Sequence, residues 1–150
     1  MKKTSARYAR GRKKLFEIHG KRGMDAIDSL GDAAPDLARI VYEWIYGDIY
    51  VRPGLDMKSR QLATLSALVV MGNVRPQLKA HIRGALNVGW TRKQIVEVVM
   101  QLAIYAGFPA ALNALVVARE VFKEGAPGRI SGPHGNAVKS RVGGRKRVRI

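Results

Sequence analysis

Apolar side chains recur along most of the chain at the three- and four-residue spacing of helices that bury one face. The clearest stripe follows Pro35 and consists of Leu37, Ile40, Val41, Trp44 and Ile45. This spacing predicts a helix whose apolar face meets a core. No segment sustains the period-two alternation of a half-buried strand. The sequence therefore predicts an all-α fold, a compact bundle of about six to seven helices.

Capping and breaking residues set the ends of the predicted helices. Asp56 is a typical N-cap, and Thr91 with Gln94 has the spacing of a capping box. Gly20 closes a basic first helix, and Gly107 with Pro109 breaks the chain sharply near the end. The predicted helices cover residues 5–18, 24–30, 35–46, 57–71, 76–87, 92–106 and 109–123.

The last two predicted helices are apolar over more than one stripe. Small residues such as Ala106, Gly107 and Ala110 would let another helix approach closely. Because a small bundle cannot cover this surface with its own chain, we expect a homo-oligomer built through the helices at 92–106 and 109–123.

The net charge of +16 is concentrated at the two ends of the chain. Residues 1–22 hold nine Lys or Arg and one acidic residue, and residues 129–150 hold seven Lys or Arg and none. Basic ends can bind nucleic acid non-specifically, but we favour ends that are solvated or packed on acidic surfaces of neighbouring subunits. The composition changes at Gly125, so we predict one helical domain over 1–124, beginning with a basic helix in 1–22, and a basic tail over 125–150.

The composition excludes several kinds of chemistry. The chain has no cysteine, which rules out disulfides, thiolate metal sites and thiol nucleophiles. Three histidines and scattered acidic residues form no spaced ligand cluster, and no nucleotide-binding loop is present, so we predict neither metal nor cofactor. No apolar run approaches a membrane span, and we expect a soluble cytoplasmic protein without a membrane partner.

His81 is the main candidate for chemistry. On its predicted helix it shares a face with Leu78, Ile82 and Ala85. An imidazole in that setting is either a core residue with its hydrogen bonds satisfied or a functional acid or base. His19 falls in the last turn of the first helix, where a cation suits the helix dipole, and we interpret it as a helix-end residue.

The candidate partners of His81 lie on the preceding helix and in nearby loops. Gln61 can donate and accept hydrogen bonds but transfers no proton near neutral pH. Arg60 can hold a carboxylate through two parallel bonds, and Arg52 can approach a pocket mouth, although each arginine is also explained as a solvated surface charge. Tyr105 is either a pocket wall or an aromatic residue of the core or an interface. We predict that His81 lines a partly buried pocket at the junction of the helices at 57–71, 76–87 and 92–106, with Gln61 and Tyr105 nearby.

The chain resembles the carboxymuconolactone decarboxylase family over about residues 11–123. The segments that carry the resemblance are Gly47-Asp-Ile-Tyr-Val-Arg-Pro-Gly-Leu-Asp through Arg60, His81-Ile-Arg-Gly-Ala-Leu-Asn through Thr91, and Tyr105-Ala-Gly-Phe-Pro through Ala114. The resemblance implies a helical subunit assembled into a homotrimer or homohexamer. It also implies a cofactor-free lyase for a small carboxylated lactone in aromatic catabolism. The redox branch of the family uses a Cys-x-x-Cys pair, so this chain is not a thiol peroxidase.

The resemblance also assigns roles to single residues. His81 matches the family histidine and would donate the proton that replaces carbon dioxide, and Arg60 or a nearby arginine would bind carboxylate. Arg52 and Tyr105 are further candidate substrate contacts. Where the family usually has Arg-Glu-Leu, this chain has Gln61 after Arg60. The acidic member of the presumed proton relay is therefore an amide.

Three functions remain open on the sequence. The first is a lyase for a small organic acid, with His81 and Gln61 in the catalytic site. The second is a non-catalytic helical oligomer that binds or scaffolds, which the amide at Gln61 favours. The third is nucleic-acid association, which only the basic ends support.

Overall fold

A computed structural model describes residues 5–125 of the protein. The elements are α1 (Ala6–Asp28), a 3-10 turn (Ser29–Asp32), α2 (Pro35–Ile40), a π-helix (Val41–Ile49), α3 (Met57–Met71), α4 (Arg75–Asn87) and α5 (Arg92–Lys123). These residues contain no strand, which confirms the all-α prediction. The basic tail predicted over 125–150 lies, after its first residue, outside the described residues.

The local signals placed most helix ends correctly. The Asp56 side chain caps α3, and Thr91 with Gln94 forms the complete capping box at the start of α5. The predicted breaks at Gly20 and Gly107 lie inside α1 and α5, where the two glycines have φ of 62° and 80°. Only glycine adopts such φ values without strain. The described residues contain five α-helices, fewer than the six to seven predicted, because α1 and α5 each continue across the break within them.

Helices α3, α4 and α5 enclose the larger of two hydrophobic clusters. Its buried members are Leu65, Val69, Leu78, Ile82, Ala85, Ile95, Val99, Ala111, Ala114, Val117, Ala118 and Val121. A smaller cluster joins α1 to the π-helix and contains Leu15, Ile18, Tyr42 and Tyr46. The imidazole of His19 contacts Tyr46 of the smaller cluster on one side and His81 of α4 on the other.

The predicted core-facing stripe after Pro35 is right for Val41 and Ile45, which pack against the smaller cluster, and wrong for its other members. Three of its five members are about half exposed, namely Leu37, Ile40 and Trp44. The buried side chains are Ala38, Tyr42 and Tyr46 instead. The tyrosines have large apolar rings with polar tips, so they fill the core although the pattern counted them as polar. The π-helix that begins at Val41 also has a wider turn, which changes the residues that share a face.

An unpartnered apolar surface runs along α5. This outer face consists of Met100, Ile104, Tyr105, Phe108, Leu112 and Val116, all about half exposed or more. The opposite side of this part of α5 faces the core and carries the small side chains of Ala111 and Ala114. By length and composition α5 also qualifies as a membrane-spanning helix. Its other face is part of the subunit core.

Candidate active site

His81 on α4 is held by a buried amide on α3. Its Nδ1 atom lies 3.1 Å from Oε1 of Gln61, and Gln61 is completely buried. An amide oxygen accepts hydrogen bonds, so this contact places the proton of neutral His81 on Nδ1 and leaves Nε2 as an acceptor. Within residues 5–125, Nε2 of Gln61 has no hydrogen-bond partner. The pair thus presents one free acceptor and one free donor.

A second imidazole, His19 of α1, packs edge-on against His81. The two ring centroids are 4.9 Å apart and the rings are nearly perpendicular. Nε2 of His19 is buried without a partner among the described residues. Gly84 leaves the space for this arrangement, because a Cβ atom at that position would lie 2.8 Å from Cε1 of His19 and 3.1 Å from Oε1 of Gln61.

Both imidazoles are neutral at neutral pH. Burial lowers the pKa of His81 to about 4. Burial lowers the pKa of His19 to about 3, with a further contribution from His81 and against a hydrogen bond to the Ala80 backbone that raises it. An imidazolium here would lose its water without gaining an anion, since Gln61 carries no charge. His19 does end the first segment of α1, directly before the break at Gly20, but its imidazole is neutral rather than a cation.

Two tyrosine rings, of Tyr46 and Tyr50, continue from His19 toward α3. The ring of Tyr46 meets His19 edge-on with centroids 5.8 Å apart, and Tyr50 lies 4.9 Å from Tyr46. The Tyr50 hydroxyl is 3.1 Å from Oγ1 of Thr64, one turn after Arg60 on α3. Burial raises the pKa of Tyr46, so its hydroxyl keeps its proton and remains a hydrogen-bond donor.

The structure brings some of the predicted substrate contacts together. Nη2 of Arg60 donates to the backbone carbonyl of Arg52 at 2.8 Å, and Nε of Arg60 is buried with no partner among residues 5–125. The Arg52 side chain is exposed. Tyr105 is 76% exposed on the outer face of α5, so it does not join His81 within the subunit. A role for Tyr105 in substrate binding stays a prediction about the assembled protein.

The location of the site also differs from the expected one. We predicted a pocket between the helices at 57–71, 76–87 and 92–106. The groups that contact the His81 ring come instead from α3 and α1. The sequence offers no local signal for this neighbour, because α1 returns to α4 only through the tertiary packing. Within residues 5–125, no group of three His, Cys, Asp or Glu is arranged to hold a metal ion.

The sequence profile of the carboxymuconolactone decarboxylase family matches residues 35–120. The match covers more than half of the chain and includes both Gln61 and His81. The chain therefore belongs to this family, as its motifs predicted. His19 lies before the matched segment, so its contact with His81 is an observation of the structure alone.

Several relatives extend this comparison. The chain is 30% identical over 119 residues to 4-carboxymuconolactone decarboxylase of Acinetobacter baylyi, covering 79% of this chain and 88% of that protein. It is 36% identical over 85 residues to nitrosuccinic acid decarboxylase of Metarhizium robertsii, covering 57% and 59%. It is also 36% identical over 91 residues to an uncharacterised 15.0 kDa protein of Paracoccus denitrificans, covering 60% and 68%. Two similar relatives are thus named as decarboxylases, for two different acids.

Proposed function

We propose that the protein is a carboxy-lyase that removes carbon dioxide, without a cofactor, from a small carboxylated lactone or a related organic acid. The observation that carries this proposal is the buried His81–His19 pair, whose hydrogen bonds are incompletely satisfied. Unpaired buried polar groups are costly unless a ligand satisfies them. Membership in a family with relatives named as decarboxylases supports the same reaction.

The reaction requires a proton on the carbon skeleton after carbon dioxide has left. The carbon–carbon bond breaks, carbon dioxide leaves, and the electron pair is delocalised into the conjugated lactone. An imidazolium then protonates a carbon of this delocalised anion and later recovers its proton from water, so each turnover consumes one proton. His81 is the proposed donor, in agreement with its match to the family histidine.

A negatively charged substrate would promote protonation of the neutral imidazole of His81, which can then act as an acid. His81 has a pKa of about 4 in the free protein. An anionic substrate beside the pair would raise the pKa of the imidazole, because an opposite charge within about 4–6 Å favours its protonated form. Substrate binding would then be coupled to proton uptake. Gln61 orients His81, while Arg60, Arg52 and Tyr105 remain the predicted substrate contacts.

One observation favours a second candidate, a helical oligomer that binds a small acid without turning it over. Gln61 cannot stabilise a charged His81 as a carboxylate would, and both imidazoles are neutral. Such a protein would bind the acid and take up a proton but release no carbon dioxide.

We further propose that the subunits assemble as a homotrimer or homohexamer through the outer face of α5. The exposure of Ile104, Phe108 and Leu112 supports this assembly. A cytoplasmic location and a role in the breakdown of aromatic compounds complete the proposal, on the strength of the family resemblance.

The proposed reaction is tested by incubating the full-length protein with 4-carboxymuconolactone and, separately, with nitrosuccinic acid. We expect carbon dioxide release from one of these or from a close analogue, matched by one proton consumed per molecule. His81→Gln should abolish release, because an amide transfers no proton. Gln101→Ala on the exposed side of α5 is the control. Proton uptake on binding without carbon dioxide release would favour the binding protein instead.

A further inference from the structure

A pocket of about 270 Å³ lies beside His19, between the break in α1, helix α4 and the end of α5. At the density of liquid water this volume accommodates about nine non-hydrogen atoms. The polar groups that line it are His19, Lys21, Arg22, Arg83, Asn87 and Glu124. Four of these carry or can accept a positive charge, and Glu124 is the one acid among them. The pocket therefore suits a small anion, and it is bounded by His19, whose ring packs against His81.

The pocket already holds one carboxylate, which belongs to the protein itself. Arg83 donates two parallel hydrogen bonds to Glu124, from Nε to Oε2 at 3.0 Å and from Nη2 to Oε1 at 2.9 Å. Lys79 adds a contact of 2.9 Å, and Arg22 one of 3.2 Å. Hydrogen bonds from Lys79 and Arg83 lower the pKa of Glu124 to about 2. This is the fork geometry by which an arginine recognises carboxylate ligands.

Arg83 differs from the other arginine that joins α4 to α5. The Arg83 side chain is only 18% exposed and lines the pocket. Arg75 pairs with Glu120 between the same two helices, but its side chain is 55% exposed and lies outside this pocket. A surface ion pair has little effect when it is lost. The position of Arg83, beside His19 and partly desolvated, gives it a stronger hold on an anion.

We infer that this pocket binds a carboxylate of the substrate, which displaces Glu124 from Arg83 and brings the rest of the molecule against His19. The inference rests on the proposed lyase function for the nature of the ligand, and it narrows the substrate class. The bound acid has at least two carboxylates, one lost as carbon dioxide and one retained at Arg83. Glu124 competes with the acid within the molecule, because its carboxylate binds Arg83 when no acid is bound.

Succinate is a suitable probe, because it carries two carboxylates and fits the volume. Its dissociation constant is measured by calorimetry on the full-length protein at physiological salt, where weak surface attraction is screened. Arg83→Gln should weaken succinate binding by about tenfold or more, because it removes the charged fork. Glu124→Gln should tighten binding by about threefold or more, because it removes the competitor. Arg75→Gln is the matched control and should change binding by less than about twofold.

Two results would overturn the inference. One is equal weakening by Arg83→Gln and Arg75→Gln, which would mean a general loss of positive charge. The other is unchanged or weaker binding in Glu124→Gln, which would make the Arg83–Glu124 pair a structural clasp. The second variant decides the question if Arg83→Gln does not fold.

The experiments distinguish failure of the carboxylate-binding inference from failure of the lyase proposal. Succinate binding that responds to Glu124→Gln and Arg83→Gln, in a protein that releases no carbon dioxide, supports the pocket and refutes the lyase. Turnover that depends on His81, with a KM unchanged by Arg83→Gln, supports the lyase and refutes the pocket.

Discussion

Replacing Gln61 by glutamate should restore an acidic partner to His81. Oε1 of Gln61 lies 3.1 Å from Nδ1 of His81, so a carboxylate there faces the imidazole directly. At about 4 Å and an effective dielectric constant of about 20, opposite unit charges attract by about 4 kcal/mol. That energy corresponds to about three pKa units. The cost of burying the carboxylate cancels part of it, and we expect a net rise of about one to two units.

The His81 pKa in Gln61→Glu should therefore lie near 5 to 6, starting from about 4 in the natural sequence. The assay is a pH titration of the histidine ring protons by NMR, with the His81 signal assigned by its loss in His81→Gln. Gln101→Glu adds the same charge at an exposed position of α5 and should leave the His81 pKa unchanged. If the protein is a lyase, the acidic limb of its rate profile should move to higher pH with the His81 pKa.

An unchanged or lower His81 pKa in Gln61→Glu would refute this reasoning. It would mean that the new carboxyl group is protonated or points away from the imidazole, and that Gln61 does not control the charge of His81. His81 would then not be a neutral imidazole whose protonation depends on a nearby negative charge.

Three further predictions concern stability and assembly. The pKa of His81 is about 4 in the folded protein and about 6.5 in the unfolded chain. The folded state is therefore fully stable with respect to this group above about pH 6.5, and it loses stability as the pH falls from 6.5 toward 4. Urea unfolding should show that His81 lowers the free energy of unfolding by about 2–3 kcal/mol between neutral pH and about pH 4.5. The variant His81→Gln should lack this contribution. Equal losses of stability in the two proteins would contradict the burial of a neutral His81. Gly84→Ala should destabilise by about 1–3 kcal/mol through its clash with His19, whereas Gly31→Ala, with open space around it, should change stability by less than about 0.5 kcal/mol; similar Tm values would argue against the close packing. Light scattering should find a trimer or larger, and Phe108→Glu on the outer face of α5 should dissociate it; a stable monomer in the natural sequence would rule out the interface.

The helix ends were predictable because their causes are local. The Asp56 cap, the Thr91 capping box and the breaks at Gly20 and Gly107 depend on residues within a few positions of one another. The burial of Tyr42 and Tyr46 was not, since the pattern does not reveal that a π-helix replaces the α-helix at Val41.

Part of the candidate site was also predictable from the sequence, and part of it was not. The contact between His81 and Gln61 was expected, because consecutive helices usually pack together and both residues lie on faces turned to the core. The contact between His81 and His19 depends on α1 packing against α4 and on the space left by Gly84. Arg83, two residues after His81 on α4, lines the pocket beside His19. Neither position can be read from spacing alone.

The most direct test of the proposed function is the rate of carbon dioxide release by His81→Ala relative to the natural sequence, at saturating substrate. The account predicts a fall in kcat of about a hundredfold or more, the scale of a lost general acid. Far-ultraviolet circular dichroism should show that the helices remain. A variant that releases carbon dioxide at nearly the full rate would show that His81 is a structural residue and that the reaction takes its proton elsewhere.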